Sequence, residues 1–214
     1  MSRYDGGRCL KRLVAALFLM LAAACLAELG HHVICVDNDK KKLAALQRGE
    51  APIHERFLPE LMARHHGERL AFSDCLPEAV RASSVIFIAV GTPPAHNGEA
   101  DLSYVECVSR EIARAVQGYK VVVEKSTVPV FTSDWIRKVM LLNGAPPGSF
   151  DVASNPEFLR EGTAVTDFLY PDRIVLGVDS ERCINILRKI YEPLIEGTYC
   201  KRENAIPEPD EARI

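Results

Sequence analysis

The sequence has no excess of positive charge and no closely paired cysteines. Among its 214 residues, 26 are Lys or Arg and 29 are Asp or Glu, which gives a net charge of -3. A chain without a general positive field is poorly suited to polyanions, so nucleic-acid binding is disfavoured. The seven cysteines are odd in number and form no C-x-x-C pair. We therefore expect no metal site and no redox bridge, and a reducing compartment is the simplest interpretation.

Repeats and low-complexity runs are also absent, and the composition is that of a globular domain, with 48% hydrophobic and 26% charged residues. One apolar stretch, residues 13–27, follows three basic residues in the layout of a secretory signal peptide. The stretch continues to Gly30, and a glycine at this point is typical of the end of a helix. A predicted strand follows at once. We therefore predict a continuous buried helix over residues 13–29 in a cytoplasmic protein without membrane attachment, with export as the alternative.

Short apolar runs alternate with amphipathic segments after Gly30, which is typical of βα units around a mostly parallel sheet. The uniformly apolar run 85–90 predicts a central strand that is covered on both faces. Two prolines and almost no periodicity over 197–214 predict a disordered tail, which leaves residues 1–196 as one domain. The predicted strands span residues 32–36, 69–73, 85–90, 119–124, 150–153 and 173–178.

Polar residues follow several of these strands, at the edge where doubly wound sheets bind ligands. Asp37 follows the first predicted strand, and a carboxylate there accepts both ribose hydroxyls of an adenosine and repels a 2′-phosphate. This favours NAD over NADP. One of the lysines at positions 40–42 can reach the ribose or a phosphate. Alternatively, Asp37 and Asp39 only turn the chain and cap the next helix.

Two further loops carry small or hydroxyl side chains. Gly91, Thr92 and Pro93 follow the strand at 85–90, where glycine permits close approach of a ligand to the backbone. Ser126 and Thr127 place two hydroxyls after the next strand, although hydroxyls that cap the following helix would look the same.

The segment 155–162, NPEFLREG, places two carboxylates four residues apart around an arginine, directly after a predicted strand. Such a pair can act as a base and as a polar anchor for a ligand. The alternative is a cluster of acidic residues that stabilises the start of a helix.

The motifs AELGHHVICVDND, VGTPPAHNGEADLSYV, EKSTVPV and NPEFLREGTAVTDFLYPDRIVLG occur in this order over about residues 24–195. Together they resemble the N-terminal NAD-binding domain of the UDP-glucose/GDP-mannose dehydrogenases. The resemblance implies a Rossmann-like, doubly wound α/β fold that uses NAD. The form PDRIVLG is more similar to the enzymes that oxidise UDP-glucose to UDP-glucuronate, and GDP-mannose is the alternative substrate.

The same resemblance implies roles for individual residues. Thr127 and Glu157 would be catalytic, with Thr127 contacting both NAD and the catalytic water and Glu157 activating water for thioester hydrolysis. The implied cofactor-binding residues are Asp37, Lys42, Gly91, Thr92, Pro93, Ser126, Thr127 and Glu161. The implied substrate-binding residues are Glu157, Phe158, Leu159, Arg160 and Glu161.

Two departures from the family pattern stand beside these matches. The stretch 13–21 has no glycine where the family has a strand and a G-x-G-Y-x-G turn. The amide cradle for the diphosphate is therefore missing, and we predict that the first strand is lost or replaced by helix. The family's continuation, which carries the dimerisation helix and the nucleophilic cysteine loop, is not matched either. We thus expect a truncated, monomeric chain that is inactive alone, or a non-catalytic remnant or interaction module that binds no dinucleotide.

Overall fold

The computed structural model describes residues 16–51, 53–93, 100–126 and 128–208. Helices and strands alternate along this part of the chain, as predicted for an α/β protein. In chain order they are α1 (Ala16–Glu28), β1 (Val33–Val36), α2 (Lys40–Gln47), α3 (Leu58–His65), β2 (Leu70–Ser73), α4 (Leu76–Ala82), β3 (Val85–Ile88), α5 (Ser103–Ala115), β4 (Lys120–Glu124), α6 (Thr132–Leu142), β5 (Phe150–Ser154), α7 (Ala164–Leu169) and α8 (Glu181–Ile195).

Helix α1 lies in the core. Its sequence is rich in alanine and leucine, which are strong helix formers, and every side chain from Met20 to Ala27 is buried. The chain leaves the helix at Gly30, whose φ of 111° is a conformation that other residues rarely adopt. The prediction of a buried helix in this region is confirmed for the described residues, and positions 13–15 lie outside them.

The strands form two separate parallel sheets, ordered β1-β2 and β3-β4-β5. Val33 is level with Leu70 in the first sheet, and Val85 is level with Val121 in the second. The predicted Rossmann-like α/β class is confirmed. Residues 16–21, where the replacement of the first strand by helix was predicted, lie in α1, and the residues before position 16 lie outside the described part of the chain.

The prediction that the strand at 85–90 is central is wrong. β3 is an edge strand that pairs only with β4 among the described strands. β4 is the central strand, and all five of its residues are buried, whereas three of the four β3 residues remain half-buried. The apolar sequence of β3 therefore reflects coverage by helices rather than two neighbouring strands.

Three segments differ from the sequence-based expectations. No strand forms over 173–178, where Gly177 makes only an isolated antiparallel bridge with Ser154. Helix α4 was not predicted, because it has seven residues and contains Pro77. In the expected tail, residues 197–208 pack on the domain, with Tyr199 and Ile206 buried in the same cluster as α1.

Candidate functional site

The carboxyl ends of β3, β4 and β5 are joined to one another by hydrogen bonds. The Lys125 amide donates to the Ile88 carbonyl at 2.8 Å, and the Asn155 amide donates to the Glu124 carbonyl at 2.9 Å. The Ser126 hydroxyl donates to the Val90 carbonyl at 3.1 Å. The residues after three consecutive strands are thus held in a fixed arrangement at one edge of the sheet.

A buried lysine and a buried asparagine lie at the centre of this edge. Lys125 Nζ donates to Asn155 Oδ1 at 3.3 Å, and the Tyr191 hydroxyl donates to the same oxygen at 2.6 Å. The Asn155 side-chain amide donates to the Val175 carbonyl at 2.9 Å, so its orientation is fixed at both ends. Burial lowers the pKa of Lys125. The cluster therefore places one cationic group in a largely dry environment.

Two glutamates are electrostatically coupled to this lysine. Burial raises the pKa of Glu124 to about 7, with a further contribution from Glu157, while the Ser126 amide and Lys125 act in the opposite direction. Burial also raises the pKa of Glu157, and Lys125 opposes the shift. Glu157 Oε2 is buried and has no hydrogen-bond partner among the described residues. A carboxylate with a raised pKa and a free acceptor atom is suited to general-base chemistry.

The two carboxylates of segment 155–162 lie in different environments. Glu157 is partly buried next to Lys125, whereas Glu161 is exposed in the turn before α7. Arg160 between them is exposed and bonds to Asp167, through its amide at 2.8 Å and Nη2 at 2.7 Å. The structure therefore does not bring the two glutamates together into a single acidic pair.

The other predicted substrate residues lie beside Glu157. Phe158 is 54% exposed, and the Arg173 guanidinium lies 5.0 Å from the centre of its ring. Leu159 packs against the cluster that contains α1. An exposed aromatic ring next to a buried carboxylate forms an open surface that a ligand can contact.

Asp37 lies at the end of β1 and is 2% exposed. Its Oδ2 forms a 2.9 Å ion pair with Lys42 Nζ, and its Oδ1 accepts the Asp39 amide at 2.9 Å. Asp39 caps α2 by accepting the amides of Lys41 and Lys42. Asp37 and Asp39 thus turn the chain and cap α2, as the alternative interpretation of the sequence predicted. The same turn brings Asp37 and Lys42 together as an ion pair.

The loop after β3 is described only in part. Gly91 and Thr92 are half-buried, and Pro93 is exposed and accepts the Asp101 amide at 2.8 Å through its carbonyl. Thr127, the predicted catalytic hydroxyl, lies outside the described residues.

Sequence reasoning missed four members of the site, namely Glu124, Lys125, Asn155 and Tyr191. One signal was available for the first two, since a charged pair at the end of the fully apolar run VVV is costly to bury without a purpose. Tyr191 is a residue of α8, distant in sequence, and no local pattern indicates its contact with Asn155.

Comparisons with known proteins identify the family of this chain. Residues 20–195 match the model of the UDP-glucose/GDP-mannose dehydrogenase family, NAD binding domain. The chain is 48% identical over 179 residues to a UDP-glucose 6-dehydrogenase of Rhizobium meliloti (strain 1021), covering 82% of this chain and 41% of the relative. It is 41% identical to UDP-glucose 6-dehydrogenase TuaD of Bacillus subtilis (strain 168), covering 81% and 38%. The chain belongs to this family, and the matched part is its NAD-binding domain.

Solved structures show the same relationship. A UDP-glucose dehydrogenase from the archaeon Pyrobaculum islandicum is 40% identical, with a TM-score of 0.78, covering 82% of this chain and 41% of that one. A GDP-mannose dehydrogenase from Pseudomonas aeruginosa is 35% identical with the same TM-score, covering 82% and 42%. The chain thus spans about two fifths of the length of these relatives. Among the described residues, no helix has the length and apolar character needed to cross a membrane.

Proposed function

We propose that this chain is the dinucleotide-binding part of a UDP-glucose 6-dehydrogenase, and that by itself it binds NAD weakly and does not oxidise UDP-glucose. The observation that carries the proposal is the partly buried Glu157, whose buried Oε2 has no hydrogen-bond partner among the described residues and whose carboxylate interacts electrostatically with Lys125. In the proposed reaction, Glu157 takes a proton from the water that hydrolyses a thioester. Lys125 offsets the negative charge of its ionised form.

The described residues fit one end of a dinucleotide better than the other. Asp37 and Lys42 form a carboxylate and ammonium pair at the end of β1, which suits the hydroxyls of an adenosine ribose. Helix α1, by contrast, contains no glycine between Ala16 and Glu28. A close approach of the backbone to the diphosphate needs glycine, so this part of the binding energy is reduced. NAD, when bound, would accept hydride, and these residues would only hold its adenosine end.

The three buried free cysteines, Cys25, Cys35 and Cys183, are poor candidates for a reactive thiol. Burial raises the pKa of Cys25, which is the free thiol coupled to Lys125, well above its ordinary value. Burial likewise raises the pKa of Cys35 to about 12 and that of Cys183 to about 11. Because the thiolate is the nucleophile, none of these thiols is suited to form the thiohemiacetal and thioester of a four-electron oxidation. We therefore propose that the nucleophile comes from a part of the protein outside this chain.

Calorimetric titration tests the cofactor half of the proposal. NAD should bind with a dissociation constant in the high micromolar range or weaker, and NADP should bind more weakly still because Asp37 repels a 2′-phosphate. Asp37→Asn should remove the preference for NAD over NADP, whereas the exposed Asp134→Asn should leave both affinities unchanged. Equal binding of the two dinucleotides by the parent chain would contradict the role of Asp37.

A complementation assay tests the catalytic half. The purified chain should form no UDP-glucuronate from UDP-glucose and NAD. A fragment comprising the remaining portion of the Rhizobium meliloti relative should restore measurable product if the two parts dock. In the restored complex, Glu157→Gln should slow thioester hydrolysis more than the first oxidation, and the exposed Glu60→Gln should slow neither. Product formation by the chain alone would contradict the proposal.

The second candidate is an interaction module that binds no dinucleotide. It is favoured by the glycine-free α1 together with the division of the sheet into two parts. A titration in which neither NAD nor NADP produces heat or a spectral change, in a chain with cooperative unfolding, would favour this candidate over the first.

A further inference from the structure

Glu55 is a buried carboxylate that has no role in the proposed reaction. It lies in the loop between α2 and α3 and is 9% exposed. Its Oε2 accepts the Gly162 amide at 2.9 Å, and its Oε1 accepts the Ala164 amide at 3.0 Å. The two amides lie 107 and 109 residues further along the chain. The contact is therefore a tertiary link, whereas an ordinary helix cap comes from the adjacent residue.

The two amides are the partners that stabilise the Glu55 carboxylate. No lysine, arginine or histidine in the described part of the chain forms an ion pair with it. A buried charge without a cation partner depends on its hydrogen bonds. Hydrogen bonds to an ionised acceptor are roughly twice as strong as those between neutral groups. The Glu55 side chain therefore holds the turn that precedes α7 firmly.

The loop that carries Glu55 is itself held in place by packing. Phe57, at the end of this loop, has a φ of 67°, a conformation that bulky residues rarely adopt. Its side chain packs against the cluster that contains the fully buried Leu58 and Leu61 of α3. Such a conformation persists only where the surrounding structure fixes it. The position of Glu55 is thus set by the core rather than by the segment that it binds.

Segment 155–162 is held at both of its ends. At its start, the Asn155 amide donates to β4 at 2.9 Å. At its end, the Gly162 amide donates to Glu55. Glu157 lies in the short span between these two anchors. Without the second anchor, the residues between them would regain backbone freedom, and the partly buried position of Glu157 would no longer be fixed.

A second contact at the end of the segment is more local. Arg160 forms an ion pair with Asp167, but the arginine side chain is 77% exposed, and surface ion pairs contribute little. The Arg160 amide donates to the same carboxylate at 2.8 Å. These partners are only seven residues apart, so their contact orders the turn without tying it to a distant part of the domain. Glu55 supplies that tie.

We propose that Glu55 is a positioning residue, which keeps Glu157 in its partly buried place by holding the end of segment 155–162. The catalytic meaning of this inference rests on the proposed function, whereas the link itself does not. Both oxygens of Glu55 are occupied by backbone amides. The residue therefore acts on the reaction through Glu157 and is not itself an acid or a base in it.

An NMR titration that resolves individual side-chain carboxyl groups of the full chain tests the effect on Glu157. Burial raises the pKa of Glu157 in the parent. In Glu55→Ala, the pKa of Glu157 should fall toward its ordinary value, because a released segment lets water reach the carboxylate. The charged and titratable groups coupled to Glu157 are Lys125, Glu124 and Tyr191, and all three remain in this variant.

Amide hydrogen exchange of the same proteins tests the link itself. The amides of Gly162 and Ala164 should exchange about tenfold faster in Glu55→Ala than in the parent, since each loses a charged acceptor. Asp39→Ala is the matched control, because Asp39 is also a carboxylate that accepts two backbone amides, at the start of α2. This control should speed exchange at α2 and leave both amides and the pKa of Glu157 as in the parent.

Glu55→Gln keeps the proposal testable if Glu55→Ala does not fold. This variant retains one acceptor oxygen, and the second oxygen is replaced by a donor that cannot bind an amide N–H. One of the two amides, Gly162 or Ala164, should therefore stay protected while the other exchanges faster. The pKa of Glu157 should move in the same direction as in Glu55→Ala, by a smaller amount.

The restored two-fragment complex gives the functional measurement. Glu55→Gln should slow the step proposed for Glu157 about tenfold and leave the affinity for NAD unchanged, and the exposed Glu60→Gln should change neither. If the parent complex forms no product, the proposed function fails. The measurements on the chain alone still decide whether Glu55 positions Glu157.

Two results on the chain alone would overturn the proposal. An unchanged pKa of Glu157, or unchanged exchange at Gly162 and Ala164, in the folded Glu55 variants would show that the segment is held without this link. Equal changes in Asp39→Ala would show that a general loss of stability moves Glu157, rather than the loss of one contact. Neither result depends on NAD or on turnover, so the proposal can fail while the proposed function stands.

Discussion

The sheet β3-β4-β5 and the sheet β1-β2 are built from similarly apolar strands, yet they differ in burial. All five residues of β4 are buried, whereas β1 buries only Cys35 and leaves Ile34 38% exposed. The difference arises from neighbours, because β4 has a strand on each side and β1 has only β2 among the described strands. Apolar sequence thus favours burial, but complete burial requires a partner on both edges.

The two sheets also differ in how firmly their functional side chains are held in place. The three-stranded sheet holds Lys125, Asn155 and Tyr191 in one hydrogen-bonded cluster beside Glu157. At the end of the two-stranded sheet, Asp37 lines the cavity beside β1 and is ion-paired with Lys42 of α2. We therefore expect the acid-base part of the site to be preformed, and the dinucleotide part to be incomplete.

The largest expected effect compares an Ile→Ala substitution in a helix that packs on the three-stranded sheet with the same substitution in β1. Ile136→Ala removes a fully buried side chain from α6, which packs on the three-stranded sheet, and should lower the free energy of unfolding by about 4 kcal/mol. Ile34→Ala in β1 should lower it by less than about 1 kcal/mol, because much of that side chain is already in water. Urea unfolding of the two variants measures both values. Similar losses would show that β1 is as well packed as the second sheet.

A pH dependence should arise from Glu124, the buried acid at the end of β4. Its pKa is raised to about 7 in the folded chain, so the folded state keeps a proton that the unfolded state loses above its ordinary pKa. Stability should therefore fall as pH rises from about 4.5 to 7, by about 3 kcal/mol. Glu124→Gln should abolish this part of the fall, and the exposed Glu60→Gln should not. Parallel pH profiles for the parent and Glu124→Gln would contradict the shifted pKa.

The smallest expected difference in stability is between substitutions of two helix-capping residues, Ser180 and Asp39. Ser180 caps α8 by accepting the Cys183 amide at 3.1 Å and also donates to Asp151 at 2.6 Å. Ser180→Ala should cost about 2 kcal/mol, because it removes both a cap and a donor to a carboxylate. Asp39→Ala removes only the cap of α2 and should cost about 1 kcal/mol. Thermal unfolding of both variants checks the order, and a larger loss for Asp39→Ala would reverse the comparison.

Local sequence signals predicted the elements that depend on local chemistry. The run VICV gave the position of β1, and Asp39 caps α2 as predicted. The apolar run at 173–178 did not form a strand, since it contributes only the bridge at Gly177. Pairing depends on the arrangement of distant segments, which a local pattern does not contain.

The candidate functional site, like the fold, was only partly predictable from the sequence. The spacing of Glu157 and Glu161 indicated a functional loop, but only the structure shows that Glu157 lies beside Lys125 while Glu161 is exposed. The raised pKa of Glu124 depends on burial at the end of a central strand. Such effects follow from tertiary packing, so they could not be read from residue types alone.

Amide hydrogen exchange, resolved by residue, tests most directly the claim that the strands form two separate sheets. The amides of Ile34 and Val85, which point away from the paired strands β2 and β4, should exchange rapidly in the full chain. The amide of Val121, which donates to Ser84, should be protected by orders of magnitude. Equal protection of all three amides would show that β1 and β3 are already paired and would contradict the account.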